Sequence, residues 1–146
     1  MLAPRGWAFE QMEVWQPGSF WTKEEKKPNI IADYEFHKGR KTYASNVEGA
    51  YYSARLAVCE YLMKIKRQAS AIIFREIGRD YQTPLGVWQI RENVRNALKT
   101  KPLTFSDLNL ALKYLGTKLT VPLKYWQKES KVLDAIKNQK RIVDWL

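Results

Sequence analysis

The stretch that most limits the fold is a long amphipathic helix followed at once by a short apolar strand. Ser45-x-x-Glu48 has the spacing of a capping box, in which an N-cap hydroxyl and a carboxylate three residues on satisfy each other's free backbone N–H groups. It predicts a helix from about Asn46 to Lys66. At helical spacing Tyr51, Tyr52, Leu56, Val58, Cys59, Leu62, Met63 and Ile65 share one apolar arc, while Ser53, Glu60, Lys64 and Arg67 face away. Ser70 to Ile77 is then short, apolar and rich in β-branched and aromatic residues, as a buried strand is. Strands gathered in the first half and helices in the second point to an α+β fold.

Two more strands are expected upstream. Phe9 to Trp15 alternates, with Phe9, Gln11, Glu13 and Trp15 on one side and Met12 and Val14 on the other, and it stops at the turn signal Gln16-Pro17-Gly18-Ser19. Asn29 to Tyr34 reads as a second short strand. The Gly39 region reads as a turn, beside basic Lys38, Arg40 and Lys41, with Tyr43 just beyond. Downstream, helical periods run from about Leu85 or Gly86 to Lys99, from a cap at Thr104 or Ser106 through Lys118, from Pro122, and from Glu129 to Asn138. The expected architecture is a mixed first half with a few short strands, a long central helix and a helical second half. It forms one domain over residues 1–138, followed by a tail at 139–146.

Composition narrows the function. At 146 residues and 45% hydrophobic the chain can bury a substantial core and is no disordered tail. No stretch approaches the roughly twenty apolar residues of a membrane span, and the start lacks a signal-peptide run. One cysteine, Cys59, and one histidine, His37, exclude an internal disulfide and argue against a zinc site or a His-based triad. A cytoplasmic, nucleoid-associated protein without metal or cofactor is expected. The net charge of +10 favours a polyanion such as nucleic acid, or an acidic partner.

Several side chains stand out against this background. Arg55 falls in the middle of the apolar arc, so it must either pair with a carboxylate or line a cleft for an anion. Arg75 and Glu76 end the apolar strand on opposite sides of it. With Tyr43 they are the candidates for chemistry on a nucleotide, a cation to grip phosphate and a carboxylate to act as base. Trp88, Arg91, Arg95 and Lys99 form a stripe at helical spacing. With Arg40 and Lys41 they are the candidate nucleic-acid contacts, cations beside an indole that can stack on a base.

The chain ends Gln139-Lys140-Arg141-Ile142-Val143-Asp144-Trp145-Leu146. In a 3₁₀ turn, side chains three apart eclipse, so Ile142 and Trp145 would project together with Leu146 as an apolar plug, with Gln139 one turn earlier. This spacing resembles the PIP box by which replication and repair proteins bind the PCNA sliding clamp. The usual motif ends in two aromatics, whereas here Leu146 follows Trp145. The same residues also fit the last turns of an amphipathic helix, with Val132, Ile136, Val143 and Leu146 close to one face.

Nearly the whole chain resembles the C-terminal part of the archaeal Nre family of DNA repair proteins. The likeness is carried by Pro4-Arg5-Gly6-Trp7, Val14-Trp15-Gln16-Pro17-Gly18-Ser19, Gly39-Arg40-Lys41-Thr42-Tyr43-Ala44-Ser45, Gly49-Ala50-Tyr51-Tyr52-Ser53-Ala54-Arg55-Leu56-Ala57, Arg75-Glu76-Ile77 and Pro84-Leu85-Gly86-Val87-Trp88, with Arg91-Glu92 and Val94-Arg95. The resemblance implies a role in DNA damage tolerance and a terminal PCNA-binding motif. Full-length members carry a further N-terminal half, with a zinc motif in one branch, so a separate chain supplying that half is a candidate partner. The alternatives to a clamp-bound repair factor are a nucleic-acid-modifying enzyme and a non-catalytic subunit of a larger repair complex.

Overall fold

A computed structural model describes residues 1–19, 22, 27–83 and 85–139. Its order is β1 (Leu2–Ala3), β2 (Ala8–Trp15), β3 (Ile30–Glu35), α1 (Gly49–Ile65), β4 (Ser70–Ile77), α2 (Val87–Lys99), α3 (Leu108–Gly116), α4 (Leu123–Glu129) and α5 (Lys131–Asn138). The strands form one mixed sheet in the order β1-β4-β2-β3. β2 runs parallel to β4 and antiparallel to β3, and β1 pairs antiparallel with β4. This is an α+β fold, as expected from a mixed first half followed by a helical second half.

The sheet is covered on both faces, which is why β2 is buried from Ala8 to Val14 although its pattern alternates. Phe9, Ala71 and Ile73 face one layer, packed with Tyr51, Ala54, Val58, Leu62, Ile90 and Val94 of α1 and α2. Ala8, Met12, Val14 and Ile72 face the other, against Leu112, Trp126, Leu133 and Ile136 of α3, α4 and α5. Helices α1 and α2 run side by side, and Gly49 lets them close. A Cβ there would lie 3.0 Å from Val87 Cγ1.

Three expectations are corrected. The capping box does not form. Glu48 has φ 50°, which no helical residue adopts, so α1 begins at Gly49 and has no side-chain cap of its own. The free N–H groups of Asn46 and Val47 instead donate to Asp33 Oδ2, at 2.8 and 2.9 Å, so a strand carboxylate seats the helix. The apolar arc was also too broad. The buried face is Ala50, Tyr51, Ala54, Ala57, Val58 and Leu62, whose small residues let the helix approach the sheet. Leu56, Met63 and Ile65 are exposed, and Tyr52 turns outward so that its hydroxyl accepts the Ala44 N–H at 2.9 Å. Finally, α3 is capped by Asp107 and α5 by Ser130, each accepting a backbone N–H at 3.0 Å, rather than from Thr104, Ser106 or Glu129.

Candidate functional site

The α1 face of the sheet carries an unusual row of buried polar side chains. Register places Phe9 opposite Glu35, Gln11 opposite Asp33, and Glu13 beside Arg75. Gln11, Glu13, Asp33 and Glu35 are all buried, and buried carboxylates persist only when paired. Glu13 Oε2 accepts from Arg75 Nη1 at 2.8 Å. Glu35 Oε1 accepts from Arg55 Nε at 2.8 Å and from the Trp7 indole at 2.7 Å, and the Arg55 guanidinium lies 5.4 Å from the Trp7 ring centroid. Burial, then the neighbouring Glu35 charge, push the Tyr51 phenol up from its ordinary range.

These pairings decide where the four candidates for chemistry stand. Arg55 pairs with Glu35 and Arg75 with Glu13. Glu76 accepts the backbone N–H groups of Thr120 and Val121, at 2.9 and 2.6 Å, and so seats the segment entering α4. Tyr43 packs on Tyr52, with ring centroids 5.0 Å apart. Each engages its own partner, and the structure does not bring the four together in one cleft. No group of three or more His, Cys, Asp or Glu side chains placed to hold a metal occurs among the described residues. Nor is any described helix long and apolar enough to cross a membrane.

A groove does form where the 36–46 loop folds over β3, the edge strand among the described residues, and meets the end of α5. Its volume is about 810 Å³, and its walls include Tyr34, Phe36, His37, Lys38, Lys41 and Tyr43. Gly39 N–H bonds to Phe36 O at 2.8 Å with Gly39 at φ 69°, a tight turn that puts His37 and Lys38 at its tip. Arg40 holds this loop. Its guanidinium donates to the carbonyls of Tyr34, Thr42 and Tyr43, pairs with Asp33 at 3.2 Å and lies 5.3 Å from the Tyr51 ring centroid. Together with Asn46 Nδ2, which donates to Ala32 O, it occupies the carbonyls of the edge strand. Of the two basic residues picked from the sequence here, Lys41 is exposed and Arg40 is committed to structure. The roles of Asp33 and Asn46 left no sequence signal, because their partners are distant in the chain.

On α2, Trp88 is 56% exposed and Lys99 is exposed. Arg95 is bound on both sides, to Glu60 of α1 at 2.6 and 2.8 Å and to Glu92 at 2.6 Å. The hydrogen bond from Arg95 holds both Glu60 and Glu92 below the usual carboxylate range. Arg91 also lies near Glu92, at 3.4 Å. Arg91 and Arg95 therefore have acids beside them, whereas Trp88 stands exposed and Lys99 donates only to the neutral Asn96 side chain, at 3.5 Å.

At the other end of the groove, Arg5 closes α5 by donating to the carbonyls of Ile136 and Gln139, both at 2.9 Å. Gln139 is the C-cap residue. Ile142, Trp145 and Leu146, the remaining members of the terminal motif, lie outside the described residues.

The described residues thus form an α+β fold with paired carboxylates buried on one face of its sheet and a loop-walled groove at the edge of β3. Residues 35–145 match the family model for archaeal Nre, C-terminal, and the chain belongs to that family. It is 38% identical over 130 residues to DNA repair protein NreB of Archaeoglobus fulgidus, covering 89% of this chain and 33% of that protein. To NreA of the same organism it is 44% identical over 112 residues, 77% of this chain and 28% of the relative. To NreA of Haloferax volcanii it is 43% identical over 100 residues, 68% and 24%. The chain thus spans a third or less of the curated relatives it matches. No solved structure matches it.

Proposed function

We propose that this chain is a DNA repair factor tethered to the PCNA sliding clamp by residues 139–146, while its basic surface holds DNA close by. Its place would be on the nucleoid. Three relatives are called DNA repair proteins, and the terminal spacing of Gln139, Ile142, Trp145 and Leu146 fits a clamp-binding plug. What carries the tether is that spacing itself: with three residues per turn, Ile142 and Trp145 would project together with Leu146 beside them, as one apolar plug. A tether of this kind raises the local concentration of a weak DNA binder without new contacts to DNA. Deleting residues 140–146, which keeps the Gln139 that Arg5 holds, should abolish binding to the cognate clamp by calorimetry and leave the melting temperature nearly unchanged, and Trp145→Ala should do most of the same. A large loss of stability with clamp binding intact would reject the tether.

A second reading, assembly with another chain or with further Nre polypeptide, is favoured by the outer face of α1. Tyr52, Leu56 and Met63 lie along it, opposite the buried face, at 38%, 45% and 76% exposure. A helix that is apolar on both sides usually has both sides covered. If so, Met63→Glu should weaken association with the polypeptide corresponding to the remaining two thirds of the relatives, measured by light scattering, with the fold unchanged.

A further inference from the structure

We propose that the groove walled by the 36–46 loop, the edge of β3 and the end of α5 binds single-stranded nucleic acid, with Tyr43 and Phe36 stacking on bases and Lys38 and Lys41 meeting the backbone. This rests on the reading that the protein works at DNA, and it names the face that does so. The charge around the groove is sorted by depth. Its two carboxylates, Asp33 and Glu35, are 3% and 5% exposed and are neutralised by Arg40 and Arg55, whereas Lys38 and Lys41 stand in solvent. A polyanion approaching this surface meets cations without meeting the acids.

The aromatics are exposed in the same place. Tyr43 is 60% exposed, Phe36 39% and Tyr34 38%, in a groove large enough for a nucleotide. They are also held. Tyr34 and Phe36 meet edge to face at 5.5 Å, Tyr43 leans on Tyr52, and Arg40 ties down the backbone of both Tyr34 and Tyr43. Rings fixed before binding lose little freedom on binding. Stacking needs base faces, which a duplex hides and a single strand offers, and it tolerates any sequence. Gln139 lines the same groove, so the proposed clamp tether would begin beside the bound strand.

The test is fluorescence anisotropy of the full chain with a labelled oligothymidylate, the matching RNA, and a duplex of equal length. Single strands should bind more tightly than the duplex. Tyr43→Ala and Phe36→Ala should each weaken them by roughly 5- to 100-fold, as loss of one stacked base does. Lys41→Glu should flatten the salt dependence, while Lys128→Glu, the same charge change at an exposed site on α4, should have little effect. Equal binding of duplex and single strand with Tyr43→Ala silent would overturn the proposal. So would loss on Trp88→Ala alone, which would move the site to α2, or capture of an acidic peptide with no oligonucleotide bound. A chain ending at residue 139, which keeps the wall of the groove, separates the two readings, because it should keep the oligonucleotide and lose the clamp.

Discussion

Arg5 donates through Nη1 to the backbone carbonyl of Gln139 at 2.9 Å, and through Nη2 to Ile136 O at the same distance. The last carbonyls of a helix have no partner within it, and a cation at that end also meets the negative pole of the helix. Arg5→Ala should therefore fray the last turn of α5. Hydrogen bonds from a charged donor contribute roughly 1.5–3 kcal/mol. One of these is exposed, so a total of about 1–2 kcal/mol, or a fall of roughly 2–8 °C in melting temperature, is expected. Hydrogen exchange at Asn138 and Gln139 should quicken while the sheet stays protected. Unchanged protection there would show that the guanidinium does not anchor the segment leading to the tail.

Asp33 should matter far more to α1 than the residues that look like its cap. It accepts from the N–H groups of Asn46 and Val47 and pairs with Arg40, all at a site that is almost fully buried. Asp33→Ala leaves those donors and one cation without their acceptor, at a cost of about 3–5 kcal/mol. Ser45→Ala, by contrast, should change stability by less than about 0.5 kcal/mol, as exposed substitutions usually do. Equilibrium denaturation of both variants decides it: a costly Ser45→Ala with a mild Asp33→Ala would restore the capping box.

That contrast marks how far the sequence could be read. β2 was legible because its alternation and turn residues are local, β3 came within one residue at each end, and β4 was placed to the residue, Ser70–Ile77, from its short apolar β-branched run. β1, two residues long, has no pattern to find. The start of α1 misled because a capping box is a local match, whereas the real acceptor sits on another strand. Arg55 was legible as a charge needing an answer, but not which carboxylate would give it. Glu35 is 20 residues earlier and arrives only through the pairing of β2 with β3. Of the groove, Lys38, Arg40, Lys41 and Tyr43 could be seen as a basic-aromatic cluster. That Arg40 is spent on loop carbonyls while Phe36 and Tyr34 join the exposed set follows from the turn at Gly39.

The Arg55–Glu35 pair offers a separate check on the sheet face. Glu35 is buried and Arg55 is 38% exposed, so water screens part of the attraction. Removing one member of a fully buried pair costs roughly 3–5 kcal/mol, and the exposure of Arg55 lowers the expectation for Arg55→Met to about 1–3 kcal/mol. A double-mutant cycle with Glu35→Gln should return a coupling of at least about 0.5 kcal/mol. Coupling within error of zero would mean that the Trp7 indole alone satisfies Glu35.

Glu10 sets a pH dependence of the opposite sign to that of Glu60 and Glu92. Its carboxylate is buried beneath the start of α5, accepting from Lys131 N–H at 2.8 Å and from the Ser130 hydroxyl. Burial raises its pKa above the ordinary 4.5, and the hydrogen bonds from Ser130 and Lys131 only partly offset this. The folded state therefore keeps a proton that the unfolded chain has released. Its contribution to stability is fully present below the unfolded value and is lost as pH rises through the folded one. Glu60 and Glu92 are lowered and act the other way, losing their contribution as pH falls. The difference between wild type and Glu10→Gln isolates Glu10, since the amide cannot ionise and the other acids are common to both. Measured by denaturant midpoint, wild type should lose ground relative to Glu10→Gln as pH rises from about 4 to 7. A difference that stays flat, or that moves in wild type's favour, would show that the hydrogen bonds from Ser130 and Lys131 outweigh the cost of burying the charge.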